Sequence, residues 1–434
     1  MPATLFTHCT LFPGAYAAVV DNAYILVEGN SITAIGPMEK APPPGTARVV
    51  DVRGNLVMPG LVNAHTHGAM TLFRGMADDL ALHTWLHDHI FPAEARCISP
   101  EMVYWSTKLA AAEMILSGTT CVADAYFFSA MSGQALSDCG LRAVIGHGIV
   151  DFAVPSVPDP AKNVDTVATF IADWQGKDPL ITPAVFAHSP YTCSPATLTK
   201  SCRLAEKTGV RFFVHVAESR SEIDMIIDPR GTSPVRHLAA LGLLGENTVC
   251  VHGVWLDDED LELVGRSGSR IVTCPQSNMK LASGIARVPE MLRQGITVGL
   301  GTDGCASNNS LDMFREMDML AKIQKVAGGD ATSLPAQATL HSATTAGAAL
   351  LGLPDIGRIE TGWRADLIVL YLNQPHLTPF YQPDLLVYAA GGADVDTVMV
   401  DGRLLMAGRR ILSFDVDEAK ARVRELARTA AQAN

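Results

Sequence analysis

Basic clusters are missing from this chain. Its 434 residues carry 33 Lys and Arg against 45 Asp and Glu, a formal net charge of −12. That balance repels a phosphate backbone, so no nucleic-acid partner is expected. C-x-x-C pairs are missing too. The nine cysteines are scattered and odd in number, which suggests free thiols in a reducing compartment. No apolar run reaches the roughly 20 residues that a bilayer span needs, so no membrane partner is expected either. The start, Met1-Pro2-Ala3-Thr4-Leu5-Phe6, has neither the basic region nor the apolar core of a secretion signal. Charged residues are only 18% of the chain and hydrophobic ones 48%, which excludes disorder and implies a large core. A soluble cytoplasmic protein is the expectation.

What is present is a series of histidines placed where apolar segments end. The run Pro59-Gly60-Leu61-Val62-Asn63-Ala64-His65-Thr66-His67 carries two of them, two positions apart. On a strand, residues i and i+2 point to one face, so His65 and His67 aim both imidazoles at one point. Imidazole is the commonest metal ligand in proteins. His188 ends Leu180–Ala187, His215 stands in Val210–Val216, His252 ends Thr248–Val251, and Asp303 ends Ile296–Thr302. Each segment reads as a short buried strand. One such residue alone reads as a satisfied core polar group. Five strand ends carrying His or Asp in series are the pattern of a barrel with its site at the C-terminal ends of the strands.

The spacing predicts eight barrel strands: Leu56–His65, Thr119–Ala125, Leu141–Val150, Ile181–His188, Arg211–Val216, Thr248–His252, Arg270–Cys274 and Thr297–Gly301. Helices are predicted between them over 100–117, 130–139, 164–175, 195–208, 234–241, 257–267 and 288–294. Both ends of the chain are β-rich instead. Ala23–Val27 and Ser31–Ile35 read as a hairpin, Ala47–Val52 as a strand, and Ala365–Tyr371, Val395–Val400 and Arg403–Met406 as further strands. Asp417–Ala431 reads as a terminal amphipathic helix. The expected class is α/β: a (β/α)8 TIM-type barrel over 57–360, with a small β-sandwich domain built from 1–56 and 361–434. A long insertion, Gly68–Ser99, follows the first strand and is placed to shape a pocket. Its His83, His87 and His89 read as a solvated helix face. Trp85 reads either as pocket lining or as ordinary core.

These segments carry a resemblance. The runs Pro59–His67, Ala77-Asp78-Asp79-Leu80, Trp85–Glu94, His188–Ser194, His215-Val216-Ala217-Glu218-Ser219, Ser277–Gly284 and Leu300–Asn309 are similar to the metal-dependent amidohydrolase superfamily. Within it they resemble the 5′-methylthioadenosine/S-adenosylhomocysteine deaminases. The likeness runs through roughly the whole chain. It implies that His65, His67, His215 and Asp303 bind a metal, that Glu94, His188 and Glu218 contact a nucleoside, and that His252 sits beside the reacting water. Members that accept S-adenosylhomocysteine are thought to use arginines near the third and fourth strands. This chain has one Arg between Cys97 and Cys202, Arg142. The resemblance therefore points more to methylthioadenosine or adenosine.

Three imidazoles and one carboxylate leave an open position, as catalytic rather than structural sites do. No Lys ends the fourth or fifth strand, so one divalent ion is expected. Zinc is the default, and iron or manganese also suit a His/Asp set. Asp303 and His252 are placed to take the water's proton. Glu218, three residues past His215, is the natural acid for a ring nitrogen, although a surface loop carboxylate would look the same. Glu94 suits a ribose diol, because a carboxylate accepts two hydrogen bonds, or else it is a helix-terminal Glu in a solvated loop. The implied activity is hydrolytic deamination of an adenine nucleoside. Its alternatives are a guanine or 8-oxoguanine deaminase, or a triazine-type hydrolase. A metal-binding regulatory protein is disfavoured by Glu218 and His252 beside the ligands. The expected partner is a small nucleoside substrate, with a homo-oligomer left open.

Overall fold

A computed structural model describes residues 3–81 and 84–432. His83 lies outside the described residues. The N-terminal strands are β1 (Thr4–Leu11), β2 (Val20–Glu28), β3 (Ser31–Pro37), β4 (Arg48–Asp51) and β5 (Leu56–Pro59). The barrel follows with β6 (Leu61–Thr66), β7 (Thr119–Tyr126), β8 (Arg142–Ile149), β9 (Ile181–Ala187), β10 (Phe212–Val216), β11 (Thr248–His252), β12 (Arg270–Thr273) and β13 (Val298–Leu300). The C-terminal strands are β14 (Leu367–Leu370), β15 (Val395–Val400), β16 (Arg403–Ala407) and β17 (Arg410–Ile411).

Strands β6 to β13 pair in chain order, and every pair is parallel. The ring closes where Asp303 N–H donates to the His65 carbonyl at 3.0 Å. Only glycine fits at position 301, because a Cβ there would stand 2.8 Å from the His65 backbone. Side chains alternate along the strands, as a two-residue period requires. Cys121, Ala123, Val144, Ala184 and Val249 share one buried cluster, while Val122, Ala143, Ile145 and Val185 pack in a second with the outer helices.

The two chain ends meet in one nine-stranded sheet, ordered β17-β16-β15-β14-β5-β1-β2-β3, with β4 also paired to β1. The junction is β5 against β14, antiparallel from Leu56↔Leu370 to Pro59↔Leu367. The sheet branches at β1: Thr4–Thr7 pair with β4, and Thr10 and Leu11 pair with β5. The sheet and the barrel are clamped by Arg142 at the start of β8. Its guanidinium donates to Asp366 at 2.7 and 3.0 Å and to Asp401 at 2.9 Å.

The expected strand 56–65 is corrected. It is two strands in two sheets, broken at Gly60. A Cβ at Gly60 would come within 2.0 Å of Thr120 Oγ1, so the chain changes sheets where no side chain can stand. Apolar residues stand on both sides of Pro59-Gly60, which is why the segment reads as one strand. The seven expected helices are all present to within about two residues, a boundary tolerance inherent in helix ends. Helices Arg220–Arg230, Met313–Gly328, Ala336–Ser342 and Thr345–Leu351 were not expected. In the insertion, residues Trp85–Ile90 wind as a π-helix that runs into an α-helix over Phe91–Cys97. His87 and His89 are exposed there, as a solvated face requires. Among the described residues, no helix is long and apolar enough to cross a membrane.

Candidate active site

The C-terminal ends of the barrel strands bring the predicted polar residues together. Strand β6 delivers His65, and His67 follows directly. His215 comes from β10 and His252 ends β11. His188 follows β9, and Asp303 lies three residues past β13. The Nε2 atoms of His65 and His215 are 3.3 Å apart. Asp303 Oδ1 is 3.5 Å from His65 Nε2 and 3.4 Å from His67 Nε2. Among the described residues, two groups could hold a metal ion, and they share His65. One is His65, His67 and Asp303; the other is His65, His215 and His252, with ligand atoms within 4.8 Å of one another in each.

The donor set fits a metal on chemical grounds. A ligating imidazole must be neutral. Burial pushes His65 down to about 4 and holds His215 well below the ordinary imidazole range. His67 Nδ1–H donates to the Ala125 carbonyl, which leaves Nε2 as the free lone pair facing Asp303. Asp303 is oriented in the same way. Ser277 and Ser307 hydroxyls donate to its Oδ2 at 2.7 and 2.8 Å, so Oδ1 is the oxygen turned to the histidines.

Beside this cluster lies a carboxyl–imidazole pair. Glu218 Oε2 stands 3.7 Å from His252 Nε2. Burial raises the Glu218 carboxyl above its usual range. His252 is fully buried, which opposes its charge, yet Glu218 and Asp303 outweigh that and raise it. Its Nδ1–H donates to Asn278 Oδ1 at 3.0 Å, so Nε2 faces the site. Both residues sit on strained turns. His252 has φ +74°, and Ala217, just before Glu218, has φ +54°. Such outliers persist where the surroundings over-determine them.

The cluster forms the floor of a cavity of about 320 Å³. Its walls are mostly apolar: Trp85, Phe91, Ile98, Phe127, Phe152 and Val154 among them. Trp85 therefore lines the cavity. Glu94 also lines it and is buried, not solvated. Burial pushes its carboxyl up to about 7, against the pull of Tyr126, whose hydroxyl donates to Glu94 Oε1 at 2.6 Å. His188 lines the cavity as well, with Nδ1 held by Thr192 Oγ1 at 2.9 Å, and burial brings it down to about 3.

Seven of the eight predicted residues line one cavity, and His65, buried, lies against His215 and Asp303. The supporting residues Tyr126, Ser277, Asn278 and Ser307 were missed. Ser277, Asn278 and Ser307 fall inside the motif segments, but a small polar residue after a strand carries no periodicity that singles it out.

Comparison with known proteins follows the same lines. A model of the amidohydrolase family matches residues 56–405. The 5-methylthioadenosine/S-adenosylhomocysteine deaminase of Syntrophobacter fumaroxidans is 47% identical over 412 residues, covering 94% of each chain. The 5′-deoxyadenosine deaminase of Methanosarcina acetivorans is 42% identical over 418 residues, 96% of this chain and 94% of its own. Among solved structures, an adenosine deaminase from Xanthomonas campestris with bound zinc superposes with a TM-score of 0.95 at 35% identity. That match covers 99% of this chain and 98% of the other.

Proposed function

The chain belongs to the amidohydrolase family, and we propose that it is a metal-dependent aminohydrolase that converts an adenine nucleoside into its inosine analogue and ammonia. One observation carries this reading. The Glu218–His252 pair, 3.7 Å apart, stands beside the histidine and aspartate cluster on the floor of a nucleoside-sized apolar cavity. His65, His67, His215 and Asp303 would hold a divalent ion, which would supply the Lewis acidity that makes water a nucleophile near neutral pH. Zinc is proposed, supported by the His/Asp donor set and by the zinc in the Xanthomonas relative.

Each residue then has a task. Asp303 or His252 takes the one proton that the attacking water loses and gives it to the amino group, which departs as ammonia. Desolvation raises the half-buried Glu218 carboxyl above its usual range, which favours its role as the acid that gives a proton to the ring nitrogen beside the reacting carbon. That nitrogen would otherwise carry the developing negative charge. Zinc base deaminases of a different fold use the same division, a non-ligand Glu beside the metal. Glu94 accepts from the ribose hydroxyls through the oxygen that Tyr126 leaves free. His188 contacts the nucleoside from the end of β9.

The 5′ end of the substrate meets the apolar wall. Among the described residues, no Lys or Arg lines the cavity. Arg142 lies at the opposite end of β8 and is spent on Asp366 and Asp401. A carboxylate on the 5′ substituent would therefore find no cationic partner. We infer a preference for 5′-deoxy- or 5′-methylthioadenosine, and adenosine, over S-adenosylhomocysteine. The nine free cysteines support a reducing cytoplasm as the compartment. The test is metal analysis joined to ammonia release from a panel of adenine nucleosides, guanine and an aminotriazine. Near-stoichiometric metal and turnover of the 5′-apolar nucleosides are expected. Turnover of guanine or the triazine alone would overturn the proposal.

A further inference from the structure

Ser219-Arg220-Ser221-Glu222 has the S-x-x-E spacing of a capping box at the start of helix Arg220–Arg230. The first half of the box is present, since Glu222 N–H donates to Ser219 Oγ at 3.2 Å. The second half departs from the motif. A capping-box Glu ordinarily returns to the N–H of the capping Ser. The Glu222 carboxylate reaches past Ser219. Its Oε1 accepts the Ala217 N–H at 2.9 Å, and its Oε2 accepts the Glu218 N–H at 2.7 Å. Glu222 is 2% exposed and does not line the cavity, so it cannot meet substrate itself.

The turn it grips is tied onward to His252. The Ala217 carbonyl accepts two N–H groups from the turn after β11, Val254 at 3.0 Å and Trp255 at 2.9 Å. Gly253 N–H donates to Val216 at 3.1 Å. The left-handed Ala217 and the left-handed His252 therefore belong to one hydrogen-bonded unit. Glu222 holds one side of it through two backbone donors.

We propose that Glu222 is a positioning residue that acts through Glu218, fixing the backbone of the 217–218 turn so that the Glu218 side chain stands against His252 and the substrate ring. The inference rests on the reading of Glu218 as the acid of the reaction. A carboxylate with both oxygens aimed at adjacent backbone N–H groups sets the height and direction of the next side chain. A displacement of about 1 Å at a reacting group can cost on the order of 10²-fold in rate.

The experiment is a double-mutant cycle on the metal-loaded protein with Glu218→Gln, Glu222→Gln and the double variant, read with Ser219→Ala as control. Glu222→Gln puts an amide group where a carboxylate oxygen faces an N–H. We expect it to lower kcat by roughly 10- to 10²-fold with metal content unchanged and KM moved far less. In the Glu218→Gln background it should have almost no further effect, because its route is already cut. Ser219→Ala should lower Tm yet leave kcat within about twofold, since it removes only the helix cap. Amide hydrogen exchange at Ala217 and Glu218 should rise in Glu222→Gln. Should Glu222→Gln not fold, Glu222→Asp keeps the charge, shortens the reach and replaces it in the same cycle. Multiplying losses in the double variant, or equal kcat losses in Ser219→Ala and Glu222→Gln, would reduce Glu222 to a structural cap. Near-normal kcat in Glu218→Gln would instead remove the reading of Glu218, and this inference with it.

Discussion

The Tyr126 hydroxyl donates to Glu94 Oε1 at 2.6 Å, deep in the wall of the cavity. The bond joins the end of β7 to the helix of the insertion, and it occupies one of the two carboxylate oxygens.

Removing that bond should be felt in binding more than in turnover. Tyr126→Phe is expected to raise KM for adenosine by about tenfold, the scale of a hydrogen bond to a charged group, with kcat little changed. Adenosine should outperform 2′-deoxyadenosine in the parent protein, and the ratio of their kcat/KM values should shrink in the variant. An unchanged ratio would take Glu94 away from the ribose. The same carboxyl predicts a pH dependence. Its pKa is pushed up to about 7, so it gains a proton as pH falls through 7 and accepts hydrogen bonds less well. KM for ribonucleosides should therefore rise below pH 7, and Glu94→Gln should flatten that rise.

Glu218→Gln keeps the shape of the side chain and removes its proton-transfer capacity. It should retain metal, measured by elemental analysis, while kcat falls ~10²–10⁴-fold. Near-normal turnover would reject Glu218 as the acid.

Discrimination at the 5′ position follows from the uncharged wall. For S-adenosylhomocysteine, kcat/KM should lie on the order of 10²-fold below that for 5′-methylthioadenosine, because its carboxylate meets no cationic partner. Equal values by direct assay of ammonia would refute the assignment of this wall to apolar substituents.

The barrel and the terminal sheet are joined by Arg142 and Asp366, 4% and 2% exposed. Arg142→Met leaves Asp366 buried without its partner, a loss of about 3–5 kcal/mol. Chemical denaturation should show that loss, while the folded fraction keeps its kcat, since the clamp lies at the end of β8 away from the cavity. A kcat change with no stability change would contradict a structural role for the clamp.

Much of this site was legible in the chain itself. His65 and His67 share a face because a strand repeats every two residues, and His215, His252 and Asp303 mark the ends of apolar segments that can only be buried strands. The solvated face of His87 and His89 was legible for the same kind of reason. Other features were not. Pro59-Gly60 marks a break between Leu56 and His65, but nothing local says that the segments on either side join different sheets. Helices 336–342 and 345–351 are short and rich in Ala, Thr and Gly, and show no clear amphipathic period.

By itself the sequence determined the class of the fold, the order of its strands and the chemical identity of the groups at their tips. Those properties follow from local periodicity, which each segment carries alone. The tertiary structure decided which atoms face inward. Ser277 and Ser307 turn Asp303 Oδ1 to the histidines, Asn278 turns His252 Nε2 to Glu218, Tyr126 halves the reach of Glu94, and Glu222 grips the turn beneath Glu218. Orientation of that kind is set by hydrogen bonds between strand ends, mostly far apart in the chain, and it comes into being only when the barrel closes.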